Sequence, residues 1–141
     1  GTGKKVKNGS DIAILSLGHI GNYAIEACED LSEEGIDAAH YDMRFAKPLD
    51  TILLHEVFGK FDKIITLEDG CIVGGIGSAI IEFMADHGYT AQIKRLGIPD
   101  KYIEHGSQSE LHAECKIDKS AISKAVKCMV NTNKHSTSKS A

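Results

Sequence analysis

A glycine-rich turn is the segment of this sequence that could most readily bind a ligand. Gly74-Gly75-Ile76-Gly77 follows a predicted strand and opens a predicted helix, and backbone N–H groups at such a helix start can hold a phosphate. The dinucleotide-binding pattern also needs a third small residue, where Ile80 stands, and an acidic residue about 20 positions on, where Arg95 lies nearby. Arg95 leaves a 2′-phosphate reading open. We favour another interpretation of the glycines, a sharp turn and a close approach of the helix to the sheet.

Two neighbouring acids, Glu68 and Asp69, end the third predicted strand. Paired carboxylates can serve as general acid and general base when both reach one reacting atom. Neighbours along a strand point to opposite faces of the sheet, so these two carboxylates are not expected to converge. The favoured interpretation is that backbone donors, or a cation at an interface, hold Glu68.

The histidines and cysteines form no metal-binding or nucleophile motif. His105 and His112 are poorly spaced for a metal site, and no HExxH pair occurs. His19 and His105 are expected at strand ends or loops, where either could titrate near neutrality. There is no CxxC pair, GxSxG elbow or GxxxxGKS/T loop. The cysteines are therefore expected to be reduced thiols in core or surface positions; they are Cys28, Cys71, Cys115 and Cys128.

Strands and helices alternate along the chain, and this order must position the candidate residues. Apolar runs predict strands over 11–17, 36–42, 63–68 and 91–96. Helical spacing of apolar residues predicts helices over 20–31, over 51–58 behind Asp50, over 76–84, over 109–115, and behind Asp118 up to Val130. The predicted fold class is α/β, a three-layer open, mostly parallel sheet with helices on both faces. Functional groups are then expected at the carboxyl ends of the strands.

The length of 141 residues and an average composition predict one domain. We expect residues 1–10 to be a linker from upstream domains, 11–130 the domain and 131–141 a flexible tail. The chain starts at Gly1 instead of Met, which indicates a piece of a longer protein. A net charge of −4 argues against a nucleic-acid partner. Neither a signal peptide nor a membrane-spanning apolar run is found, so we expect a cytoplasmic protein without a membrane partner.

Three strings in the sequence resemble a known enzyme family. Residues 44–50 (RFAKPLD) are similar to a turn of the transketolase C-terminal domain family, and residues 66–79 resemble its glycine-containing segment. Both strings are shared with the β chains of 2-oxo acid dehydrogenases. Residues 95–107 (RLGIPDKYIEHGS) more specifically resemble the corresponding stretch of the 1-deoxy-D-xylulose-5-phosphate synthases. The resemblance runs from about Gly9 to Val126.

This resemblance implies a homodimeric enzyme of three domains that uses thiamine diphosphate and Mg²⁺. Such an enzyme condenses pyruvate, with loss of CO2, onto glyceraldehyde 3-phosphate at the start of isoprenoid precursor synthesis. In that family the first domain holds the diphosphate and the metal, and the middle domain handles the aminopyrimidine and the substrate phosphate. The present chain resembles the third domain alone and lacks the Gly-Asp-Gly…Asn motif. The resemblance therefore assigns it no catalytic, cofactor-binding or metal-binding residue, and this piece alone is expected to be inactive.

The loops at the strand ends are expected to support packing between domains or between subunits. The candidate contact residues are Arg44, Lys47, Pro48, Asp50, Glu68, Gly74, Gly75, Gly77, Pro99, Asp100 and His105. The expected partners are the upstream domains of the same chain and, in the full protein, a second subunit. Two alternatives stay open: the C-terminal domain of a transketolase or a 2-oxo acid dehydrogenase β chain, and a stand-alone nucleotide- or anion-binding module. A purely structural dimerisation domain is compatible with the first interpretation.

Overall fold

A computed structural model describes residues 2–98 and 117–140 of the chain, with side chains for 2–98 and 117–131. In this part of the chain five strands form one sheet. They are β1 (Lys4–Lys7), β2 (Ile12–Leu17), β3 (Ala38–Asp42), β4 (Lys63–Cys71) and β5 (Gln92–Ile98). The described helices are α1 (Gly21–Glu33), α2 (Thr51–Lys60), α3 (Ile76–Asp86) and α4 (Lys119–Ser140).

The sheet has the strand order β1-β3-β2-β4-β5. Strands β2 to β5 run parallel, with Ile12 opposite Ala38 and Ala13 opposite Ile64. β1 alone runs antiparallel, along the outer edge of β3. The predicted mostly parallel sheet is thus confirmed, and each helix that joins two parallel strands makes the crossover that such strands require.

Side chains of the central strands alternate between two cores, because successive residues of a strand point to opposite faces. Ile12 and Ile14 pack with α1 and α4 on one face. Ala13 and Leu15 pack with α2 and α3 on the other. Both faces of β2 are therefore buried, which explains its continuous apolar run and confirms the three-layer α/β arrangement.

The predicted helix caps are present. Asp50 precedes α2 and accepts a hydrogen bond from the Leu53 backbone N–H at 3.0 Å. Asp118 precedes α4 and accepts one from the Ala121 backbone N–H at 2.9 Å. Each aspartate satisfies a donor that the first helical turn leaves unpaired.

The structure of residues 4–7 differs from the prediction. They form strand β1, whereas residues 1–10 were expected to be a linker. The segment KKVK lacks an apolar strand pattern, and its strand is held by backbone pairing with β3 and by ion pairs such as Lys5 with Glu56 at 2.9 Å. Gly9 lets the chain pass against β3, since a Cβ there would lie 2.5 Å from the Ala38 carbonyl carbon. Lysines on an edge strand also discourage pairing with other chains.

The end of the chain also differs from expectation, because α4 continues to Ser140 through most of the predicted tail. No Gly or Pro occurs between residues 119 and 140 to end the helix. Of the helices described, none has an apolar stretch long enough to cross a membrane. The predicted helix over 109–115 and Cys115 lie outside the described residues.

Candidate functional site at the carboxyl edge of the sheet

The parallel strands bring most of the candidate residues to one edge of the sheet. From β2 the chain crosses to β3 on one side, whereas from β4 it crosses to β5 on the other. The carboxyl ends of β2 and β4 therefore flank the point where the winding direction changes. Ligands of open α/β sheets bind in the crevice at such a point, so the groups at this edge are the candidates for holding a ligand.

Glu68 is the central polar group of this edge. It is buried at the end of β4, on the face that α2 and α3 cover. Its Oε2 accepts a hydrogen bond from the Ile76 backbone N–H at 2.9 Å, and its Oε1 accepts one from the Gly77 N–H at 3.3 Å. The carboxylate thus occupies the positive N-terminal end of α3. The prediction that backbone donors hold Glu68 is confirmed.

The glycines around Glu68 are required by close contacts. A Cβ at Gly75 would collide with the Glu68 carboxylate and lie 2.6 Å from the Cys71 carbonyl oxygen. A Cβ at Gly77 would lie 2.7 Å from Thr66 Oγ1 on β4. Gly74 has a φ of 72°, a backbone conformation that favours glycine. These contacts confirm the interpretation of the glycines as a sharp turn and a close helix–sheet approach.

Arg95, on β5, holds the same turn from the other side. Its Nη1 donates to Ser78 Oγ at 3.0 Å and to the Ile72 carbonyl oxygen at 3.4 Å. Ser78 Oγ also donates to that carbonyl at 3.4 Å. The guanidinium that was a candidate for binding a 2′-phosphate is therefore hydrogen-bonded to groups on either side of the turn.

The other acid of this edge, Asp69, follows Glu68 on β4. A Cβ at Gly18 would lie 3.0 Å from Asp69 Oδ2, which places this carboxylate beside the end of β2. Gly18 has a φ of 94°, and His19 next to it is exposed. The two carboxylates thus have different neighbours, the start of α3 for Glu68 and Gly18 for Asp69.

The loop between β3 and α2 carries four of the predicted contact residues. Asp50 Oδ2 accepts a hydrogen bond from the Gly3 backbone N–H at 2.8 Å, in addition to the bond from Leu53. The bonds from Leu53 and Gly3 lower the pKa of the Asp50 carboxyl. Arg44, Lys47 and Pro48 are exposed, Arg44 has a φ of 63°, and the Lys47–Pro48 peptide bond is cis. Asp50 therefore ties the start of the chain to this loop.

Three predicted contact residues lie outside the described residues, namely Pro99, Asp100 and His105. The predicted irregular segment 97–107 begins differently, because Gly97 and Ile98 are the last residues of β5. A Cβ at Gly97 would lie 3.2 Å from Glu68 Cγ, so this glycine also packs against the central carboxylate.

A buried Ser16–His40 pair was missed from the sequence. Ser16 Oγ lies 2.7 Å from His40 Nε2, on the α1 face of the sheet. Burial lowers the pKa of His40 to about 4, although the nearby Asp42 carboxylate raises it. The other ring nitrogen, Nδ1, is buried without a hydrogen-bond partner among the described residues. A histidine at the centre of the apolar strand AAHYD was the available signal.

The described residues offer little reactive chemistry. In 2–98 and 117–131, no group of three or more His, Cys, Asp or Glu side chains could hold a metal ion. Burial raises the pKa of the Cys28 thiol to about 11, whereas Cys71 and Cys128 are exposed. Ser16 and His40 are adjacent but shielded from solvent. What the edge presents is a set of loops fixed by internal hydrogen bonds.

This fold and edge define the class of the protein. The family model for the transketolase C-terminal domain matches residues 1–122, so the chain belongs to that family. A solved structure of a split-gene transketolase, described as an inactive tetramer of four β chains, superimposes with a TM-score of 0.84 at 29% identity. The match covers 92% of this chain and 42% of that one.

Within this family, the chain is similar to 1-deoxy-D-xylulose-5-phosphate synthases. It is 60% identical to the one from Cytophaga hutchinsonii over 127 residues and 54% identical to the one from Parabacteroides distasonis over 127 residues. Each alignment covers 90% of this chain and 20% of the relative. The chain thus spans about one fifth of the length of these curated relatives, and the resemblance found in the sequence strings is confirmed.

Proposed function

We propose that the chain is the C-terminal domain of a 1-deoxy-D-xylulose-5-phosphate synthase and supplies no catalytic group of its own. The parent enzyme would be a cytoplasmic homodimer that condenses pyruvate with glyceraldehyde 3-phosphate, releases CO2 and begins isoprenoid precursor synthesis. The proposal that this domain supplies no catalytic group is supported by the Glu68 carboxylate. Its oxygens accept hydrogen bonds from the Ile76 and Gly77 N–H groups, which a ligand at the start of α3 would need.

Thiamine diphosphate and Mg²⁺ would be held by the other domains of the parent. A bound diphosphate and its metal need free anion donors and a set of oxygen ligands. At α3 the Ile76 and Gly77 donors already serve Glu68, and the described side chains include no three-ligand metal group. The described residues do not fit this cofactor, and no catalytic step is assigned to them.

The comparison with the split-gene transketolase supports the same proposal. The similar chain belongs to a tetramer described as inactive, and it includes a region equivalent to most of this chain. A domain of this kind, separated from the parts that carry the cofactor, would fold without turning over substrate.

Activity and cofactor binding test the proposal directly. The full-length parent is expected to form 1-deoxy-D-xylulose 5-phosphate from pyruvate and glyceraldehyde 3-phosphate, and the 141-residue chain is not. Calorimetry of the chain with thiamine diphosphate and Mg²⁺ should give no micromolar binding. Micromolar binding, or product formed by the chain alone, would contradict the proposal. A parent that takes its donor carbons from a ketose phosphate instead of pyruvate would favour the transketolase alternative.

The anion-binding module is tested by thermal denaturation with phosphate or NADP. Ligand at 100 times its Kd stabilises a protein by about 2.7 kcal/mol, which gives a clear rise in Tm. We expect no saturable rise, because Glu68 and Arg95 are engaged with the turn. A saturable rise that Arg95→Gln abolishes would favour the module instead.

A further inference from the structure

Three large apolar side chains are exposed in the segments that follow β3 and β4. Ile52, in the first turn of α2, is 83% exposed; Val73, directly before the glycine-rich turn, is 63% exposed; and Phe45, in the β3–α2 loop, is 49% exposed. Among described residues, the other exposed large apolar side chains are Val6 and Ile25, at 39% and 40%. Exposed apolar residues grouped in one region of a protein surface mark interaction sites.

Topology places these three residues on one side of the molecule. α2 and α3 pack on the same face of the sheet, through a shared core that includes Leu54 and Ile80. Both helices start at the carboxyl edge, because each follows the carboxyl end of a parallel strand. Phe45, Ile52 and Val73 belong to those starting segments, and we call them the carboxyl-edge patch.

The loops that carry the patch are fixed from within the domain. The glycine turn is held by Arg95 at the Ile72 carbonyl and by Glu68 at the Ile76 N–H, on either side of Val73. The β3–α2 loop is held by Asp50 at its end and by Asp42, whose Oδ1 accepts from the Arg44 N–H at 3.0 Å. Contacts that are ordered before binding lose less conformational entropy when they bind.

The start of the chain lies at the same edge. β1 runs antiparallel to β3, so Lys4 lies opposite Asp42 at the carboxyl end of β3. The Gly3 N–H donates to Asp50, which joins this segment to the patch-bearing loop. In a protein as long as the relatives, the preceding polypeptide would therefore reach this domain beside Phe45 and Ile52.

We propose that the carboxyl-edge patch is the docking surface for the domain that immediately precedes this one in the full-length chain. This inference rests on the proposed function, which makes the chain the C-terminal part of a longer enzyme. A covalent connection gives the two domains a high effective concentration, in the millimolar range for short flexible linkers. A small apolar patch then suffices for stable docking. The partner surface is expected to be apolar where it meets Ile52 and Val73.

Hydrogen–deuterium exchange tests the docking surface. Amides of 44–54 and 71–77 should exchange at least tenfold more slowly in the full-length protein than in the 141-residue chain, while those of α1 stay unchanged. In the full-length protein, Ile52→Asp combined with Val73→Asp should remove this protection. Both side chains point to solvent, so the double variant leaves the core intact. Ile25→Asp, on α1, is the matched control and should keep the protection.

Cross-linking identifies the occupant. Isotope-labelled and unlabelled full-length protein are unfolded together and refolded, so that mixed dimers form, and are then treated with an amine cross-linker that reaches the exposed Lys47. Cross-links from Lys47 to the preceding domain within one subunit support the proposal. Cross-links that join labelled to unlabelled subunits would assign the patch to a second copy and overturn it, as would equal exchange in the two proteins. The activity of the same preparation reports separately on the proposed function, so the two can fail independently.

Discussion

Glu68 and His40 are both buried polar residues of the sheet, but the two faces treat them differently. On the α3 face, each carboxylate oxygen of Glu68 accepts a backbone N–H. On the α1 face, one imidazole nitrogen of His40 is paired with Ser16, and Nδ1 has no partner in the described part of the chain. A buried group whose polar atoms are all paired fixes the position of its neighbours. Burial of the His40 ring disfavours its charged form, so the stability of this face depends on the protonation of His40.

The largest expected effect comes from filling the space around Glu68. Gly75→Ala should destabilise the domain by about 4 kcal/mol, since the new Cβ strains the turn and displaces the carboxylate from its donors. Urea unfolding measures the change. Gly59→Ala is the control, because nothing lies within 4 Å of that position on α2. It should stabilise the helix by up to about 1 kcal/mol. A loss below about 1 kcal/mol for Gly75→Ala would mean that the turn around Glu68 can move aside to accept the new Cβ.

Lowering the pH should destabilise the domain through His40, the second of the two buried polar residues. The pKa of His40 is lowered to about 4 from an ordinary 6.5. The stability that depends on neutral His40 is therefore fully present above pH 6.5 and is lost as the pH falls toward 4. The loss by pH 4 is about 3 kcal/mol, at 1.36 kcal/mol for each pKa unit. The measurement is the free energy of unfolding between pH 7.5 and 4.

His40→Gln should flatten this pH dependence, whatever its effect at pH 7.5. His19→Gln removes an exposed histidine and should leave the slope unchanged. If the wild-type and His40→Gln slopes coincide, His40 is not the group that couples stability to acid.

Glu68→Gln tests whether the charge and both oxygens are needed. The amide keeps one acceptor and places an NH2 group against the other backbone N–H, which should cost about 2 kcal/mol. Glu82→Gln changes an exposed glutamate on the same helix and should shift stability by less than about 0.5 kcal/mol. Equal effects of the two substitutions would show that the start of α3 does not depend on the buried carboxylate.

The smallest effect is expected at Ser16. Ser16→Ala removes the hydroxyl that pairs with His40 and should cost about 1 kcal/mol. Ser32→Ala, at an exposed position of α1, serves as the control and should stay within about 0.5 kcal/mol. If Ser16→Ala cost more stability than Glu68→Gln, the Ser16–His40 hydrogen bond would matter more to stability than the bonds of Glu68, contrary to this expectation.

Periodicity was sufficient to predict the layers of this fold, because buried parallel strands and amphipathic helices both leave strong apolar patterns. β1 was missed because the segment KKVK has no such pattern, and its strand depends on backbone pairing with β3. The end of α4 was missed because a polar helix lacks an apolar stripe.

The candidate site was partly predictable. Strand alternation separated Glu68 from Asp69, and the incomplete glycine pattern favoured packing over ligand binding. The Arg95–Ser78 bond and the Ser16–His40 pair depend on which strands are neighbours in the sheet. The spacing of apolar residues along the chain does not determine that order. The exposure of Ile52 was also hidden, because it lies next to the buried Leu53 in one apolar run.

The packing of α4 against α1 sets the order in which the domain can be completed during synthesis. Lys127 pairs with Glu34, 93 positions earlier in the chain, and Ile122 and Val126 close the core over α1. The core between the sheet and the α2 and α3 face can assemble once β5 has been made, whereas the core on the α1 face is completed only after residues 119–130 leave the ribosome. A nascent chain that stops earlier would lack the apolar side chains with which α4 covers α1.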